Sequence, residues 1–224
     1  VHLVLDRPKQ LNALNDDIRQ VIAATLNELI ERPDIRLLVL SGEGKSFCSG
    51  ADLKATSYPK VEGNWSTRRN RTATWQRVLE QMERIPQVTI ASMQGHIVGG
   101  GALLATACDF RLATPGSQMS LPIAKTLGNC LSVANVARLS AAFGPQRVKR
   151  MLMLAEMIGA DEALACGYLH QLAEPSDIDA ATSALVQRLT SLAPVTQQVS
   201  KQALNRLVQH SAPEAEDLIR QAYG

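Results

Sequence analysis

Short apolar runs alternating with helical patterns predict an α/β protein whose strands are buried. Three observations carry that reading. Ile35-Arg36-Leu37-Leu38-Val39-Leu40 and Val88-Thr89-Ile90-Ala91 are short, apolar and bounded by turn residues, the pattern of strands covered on both faces. Segments with helical spacing lie between and after them, so strand, helix, strand recurs. After Glu174-Pro175 two amphipathic helical runs, residues 177–192 and 194–209, follow with no strand between them. Residues 1–174 therefore read as an α/β core and residues 175–224 as a C-terminal helical region.

Residues 1–6 alternate as a strand does, and Arg7-Pro8-Lys9-Gln10 turns the chain. A helix is predicted from Asn15, a fitting N-cap with Asp16 and Asp17 in the first turn, where carboxylates meet the positive end of the helix. Its predicted core stripe is Ile18, Val21, Ile22, Thr25, Leu26 and Leu29, and Pro33 stops it. Residues 54–70 mix Pro, Gly, Ser and charge without periodicity and read as a mobile loop, followed by a helix over about residues 72–85. Residues 101–108 are small and apolar all round, which suits a helix enclosed on every side, and Phe110-Arg111-Leu112-Ala113 reads as a strand. Pro145 opens a helix expected to reach about Met157, and Gly159-Ala160-Asp161-Glu162-Ala163 starts another, with Gly167 at its C′ position.

At 224 residues with 46% hydrophobic content and a net charge of +2, the chain can bury one large core and has no charge excess that calls for a polyanion. Aromatics make up only 4% and the basic residues form no stripe with them, which argues against nucleic acid. Cys48, Cys108, Cys130 and Cys166 fall in no metal-ligand or disulfide spacing, so no metal is expected and a reducing cytoplasm is the expected setting. The least polar stretch, residues 97–108, falls short of the roughly 18–20 residues of a membrane span. Val1 lies inside a strand-like run with no basic, apolar leader, so no targeting segment is expected within these residues.

Gly44-Lys45-Ser46 hints at a phosphate loop, but the glycine that motif needs five positions earlier is Val39, in mid-strand. Gly99-Gly100-Gly101 is not a dinucleotide fingerprint either, and taken alone it reads as a tight packing turn. It gains meaning beside Phe47-Cys48-Ser49-Gly50-Ala51-Asp52-Leu53-Lys54. Both segments follow β-type runs and are predicted to enter helices, where unpaired N–H groups can converge on developing negative charge. Two such donors form an oxyanion hole, worth typically about 3 kcal/mol each in the transition state. Glycine at 100 allows close backbone approach, and the helix opening there adds its positive end.

With Arg7-Pro8, Asn12-Ala13-Leu14, Ala107-Cys108-Asp109 and residues 159–167, these segments resemble the enoyl-CoA hydratase/isomerase (crotonase) family over nearly the whole chain. The resemblance implies a crotonase-like spiral of ββα repeats with a C-terminal helical trimerisation region. It implies a lyase or isomerase of acyl-CoA thioesters, as in fatty acid metabolism, with CoA entering as part of the substrate and no separate cofactor. By the same resemblance the N–H groups of Ala51 and Gly100 hold the thioester oxygen. Ala51, Asp52, Leu53 and Lys54, with Gly99 and Gly100, border the CoA. A homotrimer or hexamer is implied, and in the family a further helix follows the point where Gly224 stands.

The pattern breaks where the family carries its two catalytic glutamates. Those positions are Leu103 and Ile123, or Ala124 for the second, because residues 122–128 run one residue long. None can move a proton, and loss of a general acid or base typically forfeits about 10²- to 10⁴-fold in rate. Other polar candidates read as something other than an acid or base: His96 as a hydrogen-bonded core histidine, Lys125 as a solvated or phosphate-facing side chain, Asn129 as a helix N-cap before Ser132, Cys130 as a small buried residue and Asp109 as a helix-end partner. Arg68, Arg69 and Arg71 suit a wet helix start or the CoA 3′-phosphate. Two functions stay open. One is an enzyme that polarises a thioester without a glutamate pair, for decarboxylation, C–C cleavage or thioester hydrolysis; the other is a non-catalytic acyl-CoA binder or structural subunit.

Overall fold

The structure, a computed structural model, describes residues 1–54, 65–126 and 130–209, with the backbone alone for residues 65–73 and 209. Along the chain run β1 (His2–Leu5), α1 (Asp16–Ile30), β2 (Leu37–Gly42), α2 (Trp65–Arg84), β3 (Val88–Met93), β4 (His96–Val98), α3 (Gly100–Thr106), β5 (Phe110–Ala113) and β6 (Gln118–Ser120). They continue as α4 (Ile123–Thr126), α5 (Val133–Phe143), α6 (Pro145–Met153), β7 (Ile158–Gly159), α7 (Ala160–Ala165), β8 (Gln171–Leu172), α8 (Ile178–Thr190) and α9 (Pro194–Gln209).

Two sheets organise these elements. The larger has the order β1-β2-β3-β5-β8 with every pair parallel. Its central strand β3 is buried at every position, which is why that run reads as apolar without alternation. The smaller sheet pairs β4 with β6 in parallel and β6 with β7 antiparallel, and a bridge from Cys48 to Ile97 extends it by one residue. β2, β3 and β5 lie side by side in one sheet, and each is followed by a partner in the other: Cys48, β4 and β6. A helix or turn then leads to the next repeat. This is a spiral of ββα units, and its geometry stacks the ends of the second strands.

The α1 cap forms as expected, with the Ile18 N–H donating to Asn15 Oδ1 at 3.0 Å. Its buried stripe is narrower than the sequence suggests: Ile22, Leu26 and Leu29 are enclosed, whereas Val21 is exposed, because α1 lies on the outside of the spiral and only one line of residues faces inward. Helix α2 begins at Trp65, so residues 65–70 are helical rather than loop; the Arg and Asn side chains there carry no apolar period to announce it. Residues 55–64 of the expected loop lie outside the described residues. Helix α6 ends at Met153, short of Met157, where the chain turns through Ala155 at φ 53° so that Ile158 can pair with Met119. Gly167 takes the predicted C′ place after α7, at φ 80°.

The C-terminal helices close the core. Leu185 and Leu189 of α8 pack with Leu37, Val88, Ile90 and Leu112 of the large sheet. Helix α9 brings in the buried Lys201, whose Nζ lies 2.9 Å from Asp109 and donates to the Gln87 carbonyl at 2.8 Å. Asp109 also accepts from the Thr89 N–H and hydroxyl at 2.7 and 2.9 Å, the structural part expected of it. No described helix is long and apolar enough to cross a membrane.

Candidate active site

Three strand ends meet at one edge of the small sheet. Val98 is in register with Ser120 and Ile97 bridges to Cys48, so residues 50–51, 99–100 and 121–123 leave the sheet together. Leu14 brackets the first of these: its N–H donates to the Gly50 carbonyl at 2.8 Å and its carbonyl accepts from the Asp52 N–H at 2.9 Å. In extended backbone the groups of successive residues point to opposite sides. With Gly50 and Asp52 turned to Leu14, the Ala51 N–H is turned away from it. A Cβ placed on Gly100 would stand 4.0 Å from the Ala51 nitrogen, and one on Gly50 would stand 3.5 Å from the Gly100 nitrogen and 3.0 Å from the Val98 carbonyl. Gly50 has φ 95°, a conformation and a clearance that favour glycine.

Gly100 is the first residue of α3, where N–H groups lack an intrahelical acceptor, while the Gly99 N–H is taken by the Ser120 carbonyl at 2.8 Å. The start of α3 is pressed onto the strand below it. A Cβ on Gly101 would fall 2.6 Å from the Cys48 Cβ and 2.7 Å from its carbonyl oxygen, so only glycine fits. Burial pushes the Cys48 thiol up to about 12, which leaves this nearby sulfur protonated and without nucleophilic character at neutral pH.

Leu103 sits one turn into α3, 9% exposed and part of the main core, with its N–H donating to the Gly99 carbonyl at 3.1 Å. Ile123 opens α4 half-buried, and Ala124 beside it is exposed. Asp52 is nearly enclosed, whereas Leu53 and Lys54 are exposed on a turn, and no helix starts there among the described residues. The bridge to Leu14 keeps Ala51 extended, and the helix expected after it would begin beyond Lys54, outside the described residues.

Other candidates fall away from this edge or lie outside the described residues. His96 is exposed at the start of β4, not a core histidine, because the alternating strand turns Ile97 inward instead. Cys130 is exposed, with Leu131 taking the inward place on the segment before α5. The α5 cap is Ser132, whose hydroxyl accepts from the Asn135 N–H at 3.3 Å; Asn129 lies outside the described residues. Lys125 is exposed, and the side chains of Arg68, Arg69 and Arg71 are outside the description. Among the described residues no cluster of three or more His, Cys, Asp or Glu could hold a metal.

Two features escaped the sequence. Arg7 reaches Asp52 at 2.9 Å across 45 positions, and Asn12, fully buried at φ 54°, donates to the Glu43 and Ser46 carbonyls at 2.9 and 2.8 Å. Only the unusual Asn-Ala after Arg-Pro hinted at a fixed turn. A cavity of about 630 Å³ between α5, α9 and the start of β5 lies apart from the glycine turns, and its Arg138 and Lys201 are paired with Glu83 and Asp109.

The described residues thus form a spiral of ββα units in which the strand ends at 50–51, 99–100 and 121–123 lie together, and comparison with known proteins gives the family. Residues 1–223 match the family Enoyl-CoA hydratase/isomerase. The short-chain-enoyl-CoA hydratase of Clostridium acetobutylicum is 30% identical over 223 residues, 99% of this chain and 84% of that protein. The ethylmalonyl-CoA decarboxylase of Gallus gallus is 32% identical over 203 residues, 89% of this chain and 67% of that protein. The crystal structure of an enoyl-CoA hydratase/carnithine racemase from Magnetospirillum magneticum superposes with a TM-score of 0.85 at 26% identity, covering 99% of this chain and 82% of that one. The chain belongs to the enoyl-CoA hydratase/isomerase family and has the crotonase fold.

Proposed function

We propose that this protein binds an acyl-CoA thioester with its carbonyl oxygen between the N–H groups of Ala51 and Gly100, and that it polarises the thioester without a carboxylate pair. The observation that carries the reading is the placement of these two backbone groups on facing strand ends, the Ala51 nitrogen within 4.0 Å of where a Gly100 Cβ would be. Apolar Leu103, and Ile123 or Ala124, stand where the family resemblance puts glutamates. Of the reactions compatible with that lining, decarboxylation of a 2-carboxyacyl thioester asks least of the side chains. The bond from the α-carbon to the carboxylate breaks, CO₂ leaves, and the electron pair moves into the enolate held by the two N–H donors; water then protonates the α-carbon. No base is needed, and an apolar lining weakens solvation of the departing carboxylate. The kinship with a protein named ethylmalonyl-CoA decarboxylase supports this choice.

A panel of CoA thioesters, malonyl- and alkylmalonyl-CoA with crotonyl- and saturated acyl-CoA, tests it through CO₂ release and binding. Turnover of the 2-carboxyacyl members is the expected result. Binding of all members with turnover of none would instead establish the non-catalytic acyl-CoA binder.

The protein is further proposed to assemble as a homotrimer or a dimer of trimers. Helix α9 leaves Val195, Val199, Leu204 and Leu207 exposed, apolar area that subunit contact would cover. Sedimentation at micromolar concentration is expected to give the trimer or hexamer mass, and a stable monomer would remove this assignment.

A further inference from the structure

We infer that Arg7 is a positioning residue that aims the Ala51 N–H by clamping both strands of the bridge around it. This rests on the oxyanion-hole reading above. The Arg7 Nη1 donates to the Ala13 carbonyl at 2.7 Å and to Asp52 Oδ2 at 2.9 Å. Ala13 precedes Leu14, and Asp52 follows Ala51, so one guanidinium nitrogen holds together the two chain segments whose bridge sets the direction of the Ala51 backbone. The other carboxylate oxygen, Asp52 Oδ1, accepts from the Lys54 N–H at 3.2 Å, which ties the following turn to the same anchor.

Arg7 is itself held. Its N–H donates to Asn12 Oδ1 at 2.9 Å, and the Asn12 amide grips the Glu43 and Ser46 carbonyls at 2.9 and 2.8 Å. A chain of polar contacts thus runs from the end of β2 to the donor at 51. The Arg7 and Asp52 side chains are 27% and 11% exposed, so the pair is largely enclosed and held in one geometry. Its consequence is orientation. A displacement of about 1 Å at a catalytic group can cost on the order of 10²-fold in rate, and an oxyanion donor acts only when aimed at the oxygen. Lysine cannot reproduce the arrangement fully, because a single ammonium lacks the planar fork of guanidinium.

The test uses cinnamoyl-CoA, a conjugated thioester whose absorbance moves to longer wavelength when its carbonyl is polarised. Difference spectra are taken at saturating ligand, so that any loss of affinity is separated from loss of polarisation, and thermal unfolding confirms that each variant is folded. The unmodified protein is expected to shift the band. Arg7→Ala and Asp52→Asn should each reduce that shift by about half or more, with Arg7→Lys between them and the unmodified protein. Asp52→Asn keeps the size of the side chain and carries the test if Arg7→Ala fails to fold. A full shift in folded Arg7→Ala or Asp52→Asn overturns the positioning assignment alone. Saturable binding by the unmodified protein with no shift overturns the oxyanion-hole reading, and the positioning assignment with it.

Discussion

Crotonyl-CoA mixed with the purified protein is expected to keep its enoyl absorbance. Hydration needs one group to activate water and another to protonate the α-carbon, and the side chains at the two positions marked by the family resemblance are those of Leu103 and of Ile123 or Ala124. Polarising the carbonyl speeds addition but moves no proton. The expected deficit is about 10²- to 10⁴-fold for each missing group, against ordinary turnover of roughly 1 to 10³ s⁻¹. Introducing Leu103→Glu together with Ile123→Glu is expected to raise the hydration rate above that of the unmodified protein. It is also expected to lower stability, because Leu103 is only 9% exposed within the main core. A carboxyl desolvated there would titrate above its usual range, so the restored activity should climb with pH until that group ionises. Turnover in the ordinary range by the unmodified protein would show that another residue supplies the proton transfers, and the proposed division of labour would be wrong.

What could be read beforehand follows from what local sequence encodes. Asn15 with Asp16 and Asp17 marked the start of α1 because capping is a property of adjacent residues. The large sheet was legible in residues 37–40 and 88–91 because strands buried on both faces are continuously apolar. The small sheet was not. β4, β6 and β7 are two or three residues long, too short for a period, and they exist because the preceding repeat offers an edge to pair with. The same limit governs the site. Glycines at 50, 99, 100 and 101 announced close backbone approach, whereas Arg7 meeting Asp52, Lys201 meeting Asp109 and the exposed settings of His96 and Cys130 depend on contacts distant in sequence.

Removing either partner of the ion pair between Glu83 and Arg138 is expected to cost more stability than any change at Arg7. Here the guanidinium grips the carboxylate with two hydrogen bonds, 2.5 and 2.8 Å, and the side chains are 8% and 5% exposed. Arg138 also donates to Asn135 Oδ1, and Asn205 of α9 donates to the Glu83 carbonyl at 3.0 Å, so α2, α5 and α9 meet at this point. A single substitution, Arg138→Ala or Glu83→Ala, breaks a buried, two-hydrogen-bond ion pair, which typically costs about 3–5 kcal/mol. For a domain of this size that corresponds to a fall in melting temperature of roughly 6–20 °C. Replacing both, as Glu83→Leu with Arg138→Met, removes the buried charges together and should leave the protein much nearer its original stability than either single change. Because α5 also packs on α3, the single variants should loosen the helix that begins at Gly100 and weaken thioester binding along with the fold. Thermal unfolding of the four proteins decides the matter. Losses in the double variant equal to the sum of the two single losses would show the side chains to be uncoupled and the pair to be no more than a contact.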